Sequence, residues 1–305
     1  MGTPEFAVPA IKKLHQDGHE IVLTVTQPDR PRGRGQQVSA TPVKKAALEL
    51  KLPVSQPESI RTFEFTRAIR ALRPDVMVVV AFGQILPKSL LSVSPSGSIN
   101  IHASLLPKYR GPAPIQWAII NEEKQTGVTT MFMDEGLDTG DILLSEKTDI
   151  LSADTAASLH DRLAVLGAEL LSETLRGLRT GIIQPVRQDH QQATYAPLLK
   201  KSDGQIDWTR PARSLDAFIR GMSPWPGAFT FHAAKRLKIF RAEPLRTDTR
   251  EAPGTVIQGF PDELRVMTGD GALSILDIQG ASGKRLPIRN FLQGNRIPSG
   301  TVLTS

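Results

Sequence analysis

The chain has 305 residues, 40% hydrophobic and 22% charged, and a formal net charge of +6. It contains no Cys, which excludes disulfides, thiolate metal ligands and a thiol nucleophile. No apolar run approaches the roughly 20 residues of a membrane span and no leader pattern opens the chain, so a cytoplasmic globular protein is expected. Residues 198–305 hold 16 Lys and Arg against 10 Asp and Glu, while residues 1–197 hold 21 of each. The positive excess therefore lies wholly in the last third. It reads equally as a solvated surface or as a face for an anionic partner.

In chain order, helical patterns are expected near residues 4–17, 41–51, 61–72 and 114–121. Short apolar strands are expected at 21–26, 53–56, 75–81, 99–102, 128–133 and 142–146. That alternation predicts an α/β fold, a doubly wound, Rossmann-like and mostly parallel sheet. Between the first two strands, residues 27–45 carry Arg30, Arg32, Arg34, Lys44 and Lys45 against the single acid Asp29, among Pro and Gly. This reads as a cationic loop, mobile when unbound, and taken alone as ordinary surface. Gly33-Arg-Gly35 has no third Gly at the needed offset and is no dinucleotide fingerprint. A long helix is expected over 154–178, with Leu159, Leu163, Leu166, Leu170 and Leu171 as its core stripe and Asp154 as N-cap. Residues 184–197 read as a linker. Beyond them come a helix near 212–222 and strands at 229–232, 237–241, 255–258, 264–268 and 272–278, spaced as in a small β-barrel. The expected organisation is thus a first domain over 1–183 and a second over 198–305. His15, His19, His160, His190 and His232 show no ligand spacing, so no metal site is expected.

The segment from Ser98 to Pro107 carries the chemistry. Side chains alternate along a strand, so Ile99 and Ile101 share one face and Asn100 and His102 the other. Two polar side chains at the carboxyl end of a buried strand lie where open α/β sheets place their sites. Downstream, Asp138 sits in a loop between Gly136 and Gly140. Asn, His and Asp delivered by two strand-end loops suit acyl transfer: Asn donates to an oxyanion, His handles protons, and Asp orients and charges the ring.

Asn100-Ile-His102, Ser104-Leu-Leu-Pro107, Arg110-Gly111, Pro114, Thr126-Gly-Val-Thr129 and Asp138-Thr-Gly-Asp141 occur in this order. Together they make the chain resemble the folate-dependent formyltransferases over nearly its whole length. The resemblance implies transfer of a formyl group from 10-formyltetrahydrofolate to an amine, with Asn100, His102 and Asp138 catalytic. It further implies that Ser104, Leu105, Leu106 and Pro107, with Phe82 and Gly83, line the folate pocket. The stretch Thr26-Gln-Pro-Asp-Arg-Pro31, followed by Gly33-Arg-Gly35 and Pro42-Val-Lys44, is most similar to members that formylate initiator methionyl-tRNA. In those members the basic insertion enters the acceptor end of the tRNA, which would make Arg30, Arg32, Arg34, Lys44 and Lys45 tRNA contacts. In those members an OB-like second domain helps to hold the tRNA, and the resemblance implies a monomer. An amino-sugar nucleotide or glycinamide ribonucleotide as acceptor, or a catalytically silent RNA-binding protein, remain as alternatives. Members also open with an apolar strand leading into a Gly-Thr-Pro turn, whereas this chain begins Met1-Gly-Thr-Pro4. Met1 is therefore expected to be the last residue of that strand, and its loss to expose two edges inside the sheet.

Overall fold

The computed structural model describes residues 1–32, 37–281 and 283–304. The chain packs as two compact units: Met1–Pro114 with Gln125–Asp149 and His160–Ala196, and Ile115–Lys124 with Ile150–Leu159 and Pro197–Ser305.

In the first unit the order is α1 (Val8–Gln16), β1 (Thr24–Val25), β2 (Arg30–Arg32), β3 (Gln37–Ser39), α2 (Pro42–Glu49), β4 (Val54–Ser55), α3 (Phe63–Ala71), β5 (Met77–Val79), α4 (Lys88–Leu91), β6 (Ser98–His102), α5 (Pro114–Ile120), β7 (Gln125–Phe132), β8 (Ile142–Asp149) and α6 (Ala156–Arg179). Most of α5 and the first residues of α6 fall with the second unit. Capping sets several helix starts. Thr41 accepts from Lys44 N–H and Thr62 from Phe65 N–H, each at 3.2 Å, a contribution of about 1 kcal/mol apiece. At α6 the cap is Thr155, whose Oγ1 accepts from Ser158 N–H at 3.3 Å while Ser158 Oγ accepts from Thr155 N–H at 3.0 Å. Asp154, expected in that role, lies one residue earlier and accepts from Leu151 N–H.

β1 and β4 pair in parallel, as do β5 and β6; β7 and β8 then extend the sheet antiparallel in the order β5-β6-β7-β8. The stripe Leu159, Leu163, Leu170 and Leu171 is buried. A Cβ on Gly167 of α6 would come within 2.8 Å of Ile101. Only glycine permits that approach, and it assigns the Ile101 face of β6 to the helix. Asn100 and His102 take the opposite face. A cluster of Val25, Ile60, Ile69, Met77, Val79, Phe82, Leu86 and Leu90 forms the core beside β1 and β5.

Met1 and Gly2 join the two parallel pairs: Gly2 N–H donates to Val25 O at 3.0 Å, and Val80 N–H donates to Met1 O at 2.9 Å. Behind them, residues 21–25 and 76–78 line a cavity of about 770 Å³ with Ile11, Leu14 and Leu175.

In the second unit, α7 (Ala212–Gly221) precedes β9 (Ala228–His232), β10 (Lys235–Leu245), β11 (Val256–Gln258), β12 (Arg265–Met267), β13 (Ala272–Gln279), β14 (Leu286–Pro287) and α8 (Ile288–Gly294). The strands form one curled antiparallel sheet ordered β11-β12-β13-β10-β9, with β14 on β13. Thr304 bridges Phe231 of β9, and Val302 bridges Thr255 beside β11, so the chain's last residues span the half-barrel's two edges. β14 and α8 were not apparent in the sequence, being a two-residue strand run directly into a short helix.

Candidate active site

β6 delivers Asn100 and His102 to one face, opposite Met131 and Thr129 of β7. His102 is buried at 6% exposure. Its Nε2 lies 2.9 Å from Tyr109 O; a carbonyl only accepts, so Nε2 carries a proton and donates it there. Nδ1 is the ring atom left for chemistry, and it lies 3.6 Å from Asp138 Oδ2. That separation is too long for a direct hydrogen bond, and it leaves the carboxylate facing the ring nitrogen that is free for chemistry. Asn100 is half-buried, and among the described residues its side-chain amide has no hydrogen-bond partner. It is available to a substrate atom.

Asp138 is placed by its loop. Asp134 Oδ1 accepts from Gly136 N–H at 3.0 Å and from Thr139 Oγ1 at 2.6 Å. The left-handed conformation belongs to Asp138 itself, at φ 54°, which Asp tolerates better than most residues. A Cβ on Gly140 would stand 1.8 Å from Phe132 O, so that glycine is required by close approach. Asp138 Oδ2 also accepts from Gly111 N–H at 2.8 Å.

The expected folate-pocket residues separate into two groups. Ser104 is fully buried and donates to Lys108 O at 2.6 Å. Its carbonyl accepts from Thr129 Oγ1 at 2.7 Å, and that same oxygen accepts from Leu106 N–H at 3.2 Å, pinning Leu105, Leu106 and Pro107 beside β7. Phe82 gives its ring to the core cluster. Its carbonyl accepts from Thr3 Oγ1 and Gln27 Nε2, each at 3.0 Å. The Phe82 ring is thus a packing element, and exposed Gly83, at φ 83°, is the part of that turn open to a ligand. The cavity beside β1 and β5 is lined by none of Asn100, His102, Ser104 or Asp138 and is not the chemical site.

The basic stretch is more ordered than expected of a loop. Arg30 and Arg32 lie on β2, paired antiparallel with β3, while Lys44 and Lys45 lie on α2. Arg30 and Lys45 are exposed. Lys44 is held by Asp29 at 2.5 Å, and Gln56 donates to the same carboxylate at 2.7 Å; these contacts hold the Asp29 carboxyl below the usual carboxylate range. Arg34 lies outside the described residues. Among the described residues, no group of three or more His, Asp or Glu is arranged to hold a metal ion, and no helix is long and apolar enough to cross a membrane.

Sequence reasoning named Arg110 only within the family run, with no role, and missed Gln188. Both are buried, at 2% and 4% exposure, and Gln188 comes from the stretch read as a linker. That stretch lies on the first unit: Val186 pairs with Ile142 and Tyr195 with Arg110. A polar run such as Gln188-Asp-His-Gln-Gln192 carries no periodicity, so the only available signal was the need of a buried Arg110 for a partner.

The formyl transferase family model matches residues 1–175, and the formyl transferase C-terminal domain model matches residues 198–296. The chain is 51% identical over 304 residues to a methionyl-tRNA formyltransferase of Caldanaerobacter subterraneus subsp. tengcongensis, covering 99% of this chain and 98% of that one. It is 52% identical over 303 residues to one of Pelobacter propionicus, covering 99% and 94%. Among solved structures, an N-formyltransferase from Helicobacter canadensis in complex with folinic acid and dTDP-3-aminofucose is similar in fold. Its TM-score is 0.67 at 19% identity, covering 90% of this chain and 96% of that one. With both of its units matched and its relatives spanned almost end to end, the chain belongs to the formyl transferase family.

Proposed function

We propose that the chain transfers the formyl group of 10-formyltetrahydrofolate to the α-amino group of initiator methionyl-tRNA, acting in the cytoplasm as a monomer. One observation carries the reading. Asn100 and His102 stand side by side at a buried strand end, with Asp138 beside Nδ1, in a chain about half identical, end to end, to methionyl-tRNA formyltransferases. The amine attacks the formyl carbon, a new N–C bond forms, and the formyl oxygen takes up negative charge. The Asn100 amide and the protonated His102 ring stabilise that oxyanion. The bond to the folate nitrogen then breaks, and the amine's proton passes to that nitrogen, with His102 and Asp138 as the groups able to relay it. Pinned by Thr129, the backbone of residues 104–107 offers fixed donors and acceptors suited to the pteridine edge.

The tRNA reading draws on charge. Many basic side chains of the second unit are paired internally, as Arg241 and Arg285 are with Asp277. Among the described residues Lys200, Lys201, Lys235, Lys238, Arg246, Arg250 and Lys284 have no ion-pair partner. On β10, Leu237 and Ile239 are buried, so Arg236 and Lys238 take the other face, opposite Phe231 and Phe229 of β9. Arg236 stacks 3.5 Å over the Phe229 ring. Cations left without an internal ion pair suit a polyanion better than a small sugar nucleotide.

Assayed with 10-formyltetrahydrofolate, the chain is expected to formylate methionyl-initiator tRNA. Preferential formylation of an amino-sugar nucleotide or glycinamide ribonucleotide would contradict the reading. Folate binding without transfer to any acceptor would point to a silent scaffold. His102→Ala and Asp138→Asn should each lower kcat by about 10²- to 10³-fold with the KM for tRNA nearly unchanged; near-normal turnover would remove that residue from the mechanism. Replacing Arg30 and Arg34 together with Ala should raise the KM for tRNA and reduce its salt slope by about two, leaving folate binding unaffected. Unchanged kinetics would make this stretch ordinary surface.

A further inference from the structure

We infer that Gln188 is a positioning residue for the catalytic carboxylate, a buried amide that locks the Asp138 loop to the Arg110 guanidinium. Its Oε1 accepts from Arg110 Nε at 3.1 Å and from Nη2 at 2.6 Å. Its Nε2 donates to Asp138 O at 2.9 Å and Gly140 O at 2.7 Å. A guanidinium only donates and a carbonyl only accepts, so the amide has one workable orientation. Flipping it would set NH₂ against the guanidinium and oxygen against two carbonyls. Arg110 is itself fixed. Its backbone N–H donates to Thr194 O and its carbonyl accepts from Ala196 N–H, each at 2.8 Å, and Nη2 donates to His190 Nδ1 at 3.1 Å.

The carbonyls that Gln188 holds belong to Asp138 and to the glycine two residues on, and Asp138 occupies the left-handed region, costly for a non-glycine residue without outside support. Gln188 supplies that support from behind the loop while Gly111 N–H holds the carboxylate from the front. Gln188 therefore acts on the reaction only through the distance between Asp138 and His102 Nδ1. This rests on the formyl-transfer reading above for its kinetic consequence, though its geometric content stands apart from it.

Gln188→Leu leaves Arg110 buried without its partner and risks the fold. Gln188→Glu keeps an acceptor for Arg110 but sets a carboxylate oxygen against the Asp138 and Gly140 carbonyls, so it releases the loop without orphaning the guanidinium. Gln188→Glu is expected to lower kcat by about 10- to 100-fold, with the KM for both substrates within about twofold. In an Asp138→Asn background the same change should cost less than about twofold, since the carboxylate it positions is already gone. Unchanged kcat, or a loss as large in the Asp138→Asn background as in the wild type, would overturn the inference. Hydrogen exchange at the Gly111 amide gives a readout independent of turnover. It should quicken at least tenfold in Gln188→Glu, and an unchanged rate would also overturn the inference. A wild-type chain that formylates no acceptor would instead strike the proposed function, and the exchange measurement would still decide the role of Gln188.

Discussion

A carboxylate held beside an imidazole at the end of a buried strand is the constraint around which the first unit is organised. His102 cannot turn, because Nε2–H is committed to Tyr109 O. Asp138 cannot withdraw without breaking its bond from Gly111 N–H and those from Gln188 to its loop. Three segments far apart in sequence, near residues 100–111, 134–141 and 188–196, are thus tied to one point. Each tie is a polar group that would cost about 1–3 kcal/mol if buried unpaired. The site is rigid for the same reason that it is satisfied.

The legible parts of this arrangement are those where a local rule and the tertiary structure agree. Period-two alternation put Asn100 and His102 on one face and Ile101 on the other, and the approach of Gly167 to Ile101 shows which face meets the helix. The Leu stripe of α6 and the Thr41 and Thr62 helix starts follow from spacing and capping alone. Where the reading fell short, non-local pairing decides. β7 and β8 run antiparallel because a short loop joins them, while the basic stretch forms a strand pair on either side of residues 33–36 rather than a loop throughout. The N-cap of α6 passed from Asp154 to Thr155 through a reciprocal bond with Ser158 that has no stronger sequence signal than the alternative. Phe82 went to the core because its neighbours Leu86 and Leu90 are there.

The second unit shows why net charge is a coarse guide. Its formal excess is real, but Asp277, Glu263, Asp262 and Asp216 neutralise Arg241, Arg285, Arg265, Arg289 and Arg220 within the unit. The cations that remain for a partner are mostly lysines and the arginines of residues 246–250, together with the Arg236 and Phe229 stack on the β9–β10 face. Phosphate neutralisation by such residues supplies affinity without selecting among RNAs, which leaves discrimination to contacts at the acceptor end and chemistry to the first unit.

The central claim is that Asp138 acts through His102 rather than independently of it. The most direct test is a double-mutant cycle on kcat/KM with His102→Ala, Asp138→Asn and the pair combined, measured for formyl transfer to methionyl-tRNA. Groups acting as one unit are strongly non-additive, so the double variant should be little worse than the poorer single variant. A double variant whose loss equals the product of the two single losses would show that the carboxylate and the imidazole work separately.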